Sequence, residues 1–363
     1  MMTAVGSGFP LATLTPRWPA PRRIVVIKPS ALGDVAQSLP LARVLRTLYP
    51  HVELAWVINR ELAGLLEGHP CGLTPLHFER RAGLRAYLRL LRGLRAERFD
   101  WVIDLQGLLR TGVLTGLSGA GLRIGLQTAR EGSGWTCNQV VPGTARSSPA
   151  FERVRRLADW LGWRGDWPRL ELGVTSQEHD WVEHLLKDLP RPLVAIHAGA
   201  GWETKRWPAP QFGRAVRQAA GAVIAVGSRA EQPLAQQVLA EVAAVGKPTV
   251  NLAGATSLLQ LAAVLGRVDL VVSNDSGPLH LAAGLRTPLV GVYTCTSPRQ
   301  SGPEPEAPAE LVATQVACAA SYRKRCPHRG DGHLACLNEL SLERVARAVE
   351  QVLARRAATP PQG

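Results

Sequence analysis

The stretch "VIKPSALGDVAQSLP", residues 26–40, starts as a buried strand and breaks into a loop of small residues before a helical run. Strand, small-residue turn and helix in that order make the first unit of a βα alternation. The turn also places a lone carboxylate, Asp34, directly after Gly33 and close to Lys28 and Ser30. A carboxylate there can cap a helix, hold a metal or take a proton from a substrate.

The alternation continues outward. "RIVVIK" (23–28), "ELAWVI" (53–58) and "FDWVIDLQG" (99–107) read as short strands. Between the first two, Leu41, Val44, Leu45 and Leu48 recur at helical spacing, with Pro40 inside the run. Either one helix starts at Asp34 and bends, or Ser38 caps a helix with Pro40 in its first turn. The second half repeats the pattern with "PLVAIHAG" (192–199), "GAVIAVGS" (221–228), "PTVNLAG" (248–254) and "DLVVSND" (269–275), and "TPLVGVYT" (287–294) reads as the last strand. Strands separated by helices imply parallel sheets with right-handed crossovers.

The Gly-, Trp- and Pro-rich segment 162–174 marks a boundary. The expected architecture is α/β, two Rossmann-like doubly wound domains facing a central cleft. A loose extension covers 1–22, one domain 23–168, a second 169–340, and a closing helical segment 341–363.

Forty-two basic against 29 acidic residues give +13 in a chain of 363. That balance suits an acidic partner but is permissive only, since high-GC codon usage is another source of an arginine excess. Residues 80–98 form a basic amphipathic helix, with Leu84, Tyr87, Leu88, Leu91 and Leu94 on one side and Arg81, Arg85, Arg89 and Arg92 on another. It reads as a solvated surface helix or as a peripheral contact with an anionic membrane or acceptor. With neither a secretory signal nor an apolar run of membrane-spanning length, the expected location is cytoplasmic, at most peripheral to the inner membrane face. Nucleic acid is not an expected partner, because no aromatic-interleaved basic motif occurs.

Four turns after strands carry the candidate chemistry, since ligands of open parallel sheets bind beyond the strands' C-terminal ends. The first holds Asp34. The second, "VSNDSGPLHLAAGL" (272–285), offers Asp275, Ser276, Gly277, Pro278 and His280 around a helix start. The third, "HAGAGWETKRWP" (197–208), offers Gly199 and Lys205; the fourth, "VGSRAEQ" (226–232), offers Glu231. Each is also an ordinary capped turn. Neither a Walker loop nor a dinucleotide fingerprint occurs at a strand end.

Together with "FDWVIDLQGLLRTG", "AREG" (129–132) and the tail "CAASYRKRCPHRGDGHLACLNELS", these stretches make the chain resemble glycosyltransferase family 9, the bacterial lipopolysaccharide heptosyltransferase family. The resemblance runs over nearly all of residues 23–355 and implies the GT-B architecture, with the acceptor on the N-terminal domain and a nucleotide-sugar on the C-terminal one. It implies an inverting transfer without metal or cofactor, of heptose from an ADP-heptose-type donor to a lipopolysaccharide-core or other anionic or lipid-linked surface glycan. Asp34 would be the general base. Lys205 and the 277–280 turn would hold the diphosphate, Glu231 the ribose and Asp275 the transferred sugar. Ser30, Gly33, Gln106, Arg110 and Arg130 would form the acceptor side; Arg130 and Glu131 match a family pair to which no role is assigned, and an ion pair shaping the acceptor loop is its plain reading. The final helix would cross back to the N-terminal domain.

Gly199 and Ala200 stand where the family often has Thr, and Pro278 removes one N–H from the phosphate cradle, which leaves donor identity open. In the tail, Cys318, Cys326 and Cys336, with His328 and His333, could ligate zinc. Their spacing does not match paired C-x-x-C, so reduced cysteines packed in a loop are the expectation and no metal is assigned. The alternatives in other classes are a nucleotide-sugar epimerase, a transferase for a different glycan, and a non-catalytic basic binding protein.

Overall fold

The computed structural model describes residues 18–358, so most of the expected loose extension lies outside the described residues. The N-terminal half holds β1 (Arg23–Ile27), β2 (Glu53–Asn59), β3 (Leu73–Phe78), β4 (Trp101–Asp104), β5 (Leu122–Leu126) and β6 (Gln139–Val141). They form one parallel sheet in the order β3-β2-β1-β4-β5-β6. The C-terminal half holds β7 (Leu193–His197), β8 (Ala222–Ala225), β9 (Thr249–Asn251), β10 (Leu270–Asn274), β11 (Leu289–Tyr293) and β12 (Ala309–Ala313). Its order, β12-β11-β10-β7-β8-β9, is the same topology read from the other edge, again all parallel. Each sheet therefore reverses its strand order once, between β1 and β4 and between β7 and β10, and such a reversal opens a crevice.

The helices in order are α1 (Leu32–Ser38), α2 (Pro40–Leu48), α3 (Gly83–Ala96), α4 (Leu109–Leu117), α5 (Ala150–Leu161), α6 (Ser176–Leu186), α7 (Ala209–Val216), α8 (Gln232–Ala243), α9 (Leu258–Arg267) and α10 (Gly277–Gly284). The central strands are apolar on both faces because helices cover both. In β1, Ile24 and Val26 enter the large core while Val25 and Ile27 pack with Leu94 of α3. In β7, Leu193 and Ala195 face that large core, and Val194 and Ile196 face a second core with Trp207 and Phe212.

Several expectations change. The ambiguity around Pro40 resolves into two helices that break at Leu39, with Pro40 opening α2. Ser38 caps nothing; its hydroxyl donates to the Asp34 carbonyl at 2.7 Å. The strand at 287–294 is not the last, because β12 pairs beyond it. The helix Leu342–Ala358 packs on α7, β10, β11 and β12 of the C-terminal half, where the expectation had it crossing back. Its stripe of Val345, Val349 and Val352 enters the same core as Phe212, which fixes it to its own domain.

The halves meet through helix starts. Gly33 of α1 lies so close to α10 that a Cβ there would come within 2.6 Å of the His280 ring, and a Cβ on Gly277 would come as close to Leu32. Two missing side chains thus let the two turns touch. No helix among the described residues is long and apolar enough to cross a membrane.

Candidate active site

At the end of β1 the chain presents Lys28, whose Nζ lies 3.1 Å from Oδ2 of Asp34. Asp34 is the third residue of α1, and Ala31 stands at the N-cap position without a side-chain cap. Its carboxylate reaches back to a backbone hydrogen bond from Ala31 and is still half exposed to the cleft. Burial alone would raise its pKa; Lys28, His280 and the Ala31 bond outweigh that and hold the carboxyl below its ordinary value. Beside it, Oδ1 of Asp104 at the end of β4 accepts from the N–H groups of Gln106 and Gly107, both at 2.9 Å, and shapes the next turn. Burial pushes the Asp104 pKa up.

Across the cleft, Asp275 follows β10 and is only 5% exposed. Lys205 Nζ lies 2.7 Å from one of its oxygens, and His280 Nε2 lies 3.3 Å from the other. The Gln37 amide of α1 meets His280 Nδ1 at 3.1 Å, which holds the ring with its Nε2 toward Asp275. Burial would raise the Asp275 pKa, but the His280 hydrogen bond and the Lys205 charge bring it down to about 2. Asn274 ties the two loops together: its Nδ2 donates to the Ala198 carbonyl at 2.8 Å, and its Oδ1 accepts from Trp207 N–H at 3.1 Å.

A second chain of contacts runs through His197 at the end of β7. Its Nδ1 meets Ser276 Oγ at 2.9 Å, and its Nε2 meets Glu231 Oε2 at 3.4 Å. The same Glu231 oxygen accepts from Ser228 N–H at 2.8 Å and from its hydroxyl at 2.7 Å. These partners hold the Glu231 pKa down at about 2 against the upward pull of burial. Its other oxygen crowds Gly199, where any Cβ would collide with it. A side chain at 199 would therefore push the Glu231 carboxylate aside. Pro278 falls in the first turn of α10, where its missing N–H breaks no helical bond.

The structure thus gathers Asp34, Gly33, Lys205, Asp275, Ser276, Gly277, Pro278 and His280 around the α1–α10 junction, with Gly199 and Glu231 joined through His197. Of the expected acceptor residues, Ser30 is half-buried in the β1–α1 turn and Gln106 half-buried after β4, while Arg110 and Arg130 are exposed at the β4 and β5 ends. Glu131 serves the α4 start, accepting from Leu109 N–H at 3.1 Å, where an ion pair with Arg130 was expected. Sequence reasoning missed Gln37, Asp104, His197 and Arg153. Strand-end position could have found Asp104 and His197. Arg153 had no signal: it lies on α5, donates to the carbonyls of Arg146 and Ser148, and feels the charge of Asp34.

Two parallel doubly wound sheets with their switch points turned to one cleft define a GT-B glycosyltransferase fold. A family model, glycosyltransferase family 9 (heptosyltransferase), matches residues 87–330, and the chain belongs to that family and is a glycosyltransferase. It is 27% identical to a lipopolysaccharide core heptosyltransferase of Haemophilus influenzae over 290 residues, covering 78% of this chain and 82% of that protein. It is 29% identical to lipopolysaccharide heptosyltransferase 1 of Pseudomonas aeruginosa, over 91% of this chain and 98% of the relative. The solved ADP-heptose lipopolysaccharide heptosyltransferase II of Escherichia coli superposes with a TM-score of 0.73 at 23% identity, covering 92% of this chain and 99% of that one.

Proposed function

We propose that the protein transfers heptose from an ADP-heptose-type donor to a lipopolysaccharide-core or related surface-glycan acceptor, with inversion and with Asp34 as general base. The observation that carries this reading is the pairing of a half-exposed, ionised Asp34 with the Lys205–Asp275–His280 cluster across a junction of two glycines. Support for the sugar and the acceptor comes from the names of the relatives: heptosyltransferases of lipopolysaccharide, one of them specified for ADP-heptose.

In the proposed reaction the acceptor oxygen attacks the anomeric carbon as the carbon–oxygen bond to the diphosphate breaks, and the acceptor proton passes to Asp34. The departing diphosphate gains charge, which Lys205, His280 and the α10 N-terminus are placed to stabilise without a divalent cation at the reacting centre. Asp275 would orient Lys205 and His280 and then give them up in part to the diphosphate and sugar. Glu231 would take the ribose hydroxyls. An anionic acceptor that drew Lys28 away would raise the Asp34 pKa as the base is needed. Arg110, Arg130 and the half-buried Arg153 supply positive charge on the acceptor side.

Membrane contact belongs to the same proposal. In α3, Leu84 is 71% and Leu88 37% exposed, beside exposed Arg81, Arg85, Arg89 and Arg92, a face suited to an anionic bilayer surface.

The test is a thermal-shift screen of ADP-, GDP-, UDP- and dTDP-sugars, followed by turnover with and without a heptose-accepting core glycolipid. Stabilisation by the ADP-sugar and acceptor-dependent ADP release are expected. Sugar release at full rate without acceptor would point to an epimerase or hydrolase and overturn the transferase reading.

A further inference from the structure

Cys295, Cys318, Cys326 and Cys336 come from four separate points of the chain, and all four line one cavity of about 500 Å³. The cavity adjoins the lysine loop, with Thr204 in its wall. Cys295 and Cys336 are buried, Cys318 and Cys326 half-buried, and all four are free thiols. Four thiols gathered around one hollow is an arrangement that apolar packing does not call for, because cysteine in a core behaves as a small hydrophobe and fills space.

The walls also carry positive charge. Arg323 and Arg325 line the same cavity and are exposed, so positive charge stands at its rim. Four thiolates around a divalent ion, or around a cubane iron–sulfur cluster in its common oxidised form, leave a net dianion. Two arginines match it. Cys326 Sγ already accepts a hydrogen bond from Leu334 N–H at 3.3 Å, the kind of second-shell contact that stabilises a metal-bound thiolate. The loop reaches this geometry with Ala320, Tyr322 and Leu334 all at positive φ, a conformation that side-chain-bearing residues adopt at a cost.

We infer that Cys295, Cys318, Cys326 and Cys336 form a tetrathiolate site for a soft metal centre, either a single thiophilic ion such as zinc or an iron–sulfur cluster. On binding, each Sγ–H gives its proton to solvent as an Sγ–metal bond forms; no electron transfer is required for zinc, and a cluster is delivered preassembled as iron and sulfide. No three ligand groups among the described residues are drawn close enough to grip one ion as the chain stands, so zinc requires the 318–336 loop to tighten, whereas a cluster spans wider sulfurs. The role is structural. The Thr204 hydroxyl donates to the Arg323 carbonyl at 2.7 Å, and Lys205 and Lys324 both lie over the Trp202 ring, so the metal-bound loop would brace the lysine loop.

The experiment is metal and acid-labile sulfide analysis of full-length protein purified anaerobically, with Cys326→Ser and Cys336→Ser beside Cys71→Ser, a cysteine buried in the other half. About one zinc per chain, or iron with matching sulfide, present in the wild type and Cys71→Ser but lost in the other two, supports the site and says which centre it holds. Should those variants fail to fold, chelator-stripped wild type titrated with Co²⁺ decides: a thiolate-to-cobalt charge-transfer band of one equivalent is expected. Metal well below one per chain with no cobalt band, metal retained by both variants, or the four sulfurs found as disulfides overturns the inference.

Discussion

The turns after β1 and β10 occupy equivalent places in two copies of one topology, yet they treat their aspartates in opposite ways. Asp34 has one close cation and keeps half its surface in the cleft; Asp275 is buried and gripped by Lys205 on one oxygen and His280 on the other. Both carboxyls titrate below the ordinary range, so acidity alone does not tell them apart. Exposure and partner count do. A carboxylate with an open oxygen can receive a proton from a substrate, while a buried, doubly paired one serves to place its partners.

Breaking the comparison at its active end gives the largest effect. Asp34→Asn preserves shape and removes the proposed base, so kcat is expected to fall by about 10²–10⁴-fold. Donor binding, followed by calorimetry with the ADP-sugar, stays close to wild type. Loss of donor affinity in parallel with kcat would mean that Asp34 acts on the donor instead.

Asp275→Asn breaks the buried end. It leaves Lys205 and His280 facing a neutral amide, and removing one partner of a buried ion pair costs about 3–5 kcal/mol. Thermal unfolding reads that loss. The pH dependence has a definite sign: because folding depresses the Asp275 pKa from 3.8 to about 2, its ion-pair stabilisation is complete above about pH 3.8 and is lost as pH falls toward 2. The variant lacks that acid-sensitive part of the profile, roughly 2 kcal/mol in size.

Gly33→Ala probes the junction between the two turns. Its methyl group meets the His280 ring, so either the helices part or the ring moves, at about 1–3 kcal/mol. A melting temperature unchanged from wild type would show that the halves separate freely at this point.

The smallest effect sharpens the comparison. Lys28→Met removes the cation that lowers the Asp34 pKa and leaves Asp275 untouched. The acid limb of kcat/KM moves to higher pH than in the wild type, while the acid unfolding profile keeps its Asp275 component. A limb that does not move would detach Lys28 from the base.

The sequence itself determined more of the C-terminal half than of the N-terminal one. The central strands β1, β2, β4, β7, β8, β10 and β11 are legible as apolar runs because helices bury both their faces. The strands missed, β3, β5, β6 and β12, lie at or next to sheet edges. β3 carries Pro75 and His77 in a mostly half-wet pattern, and β6 is only Gln139–Val141, so local pattern is too weak to mark them. The turns at strand ends announced Asp34, Lys205, Glu231 and Asp275 because parallel sheets leave such turns free for ligands.

What only the tertiary structure decided is pairing. Gln37 meets His280 from 243 positions away, and His197 joins Ser276 to Glu231. The last helix chose its own domain because its apolar stripe matched the core beside Phe212. The four cysteines became a single lining in the same way. Spacing along a chain fixes which residues are available, but hydrogen bonds and charges act over a few ångströms, and only the folded path brings residues that close.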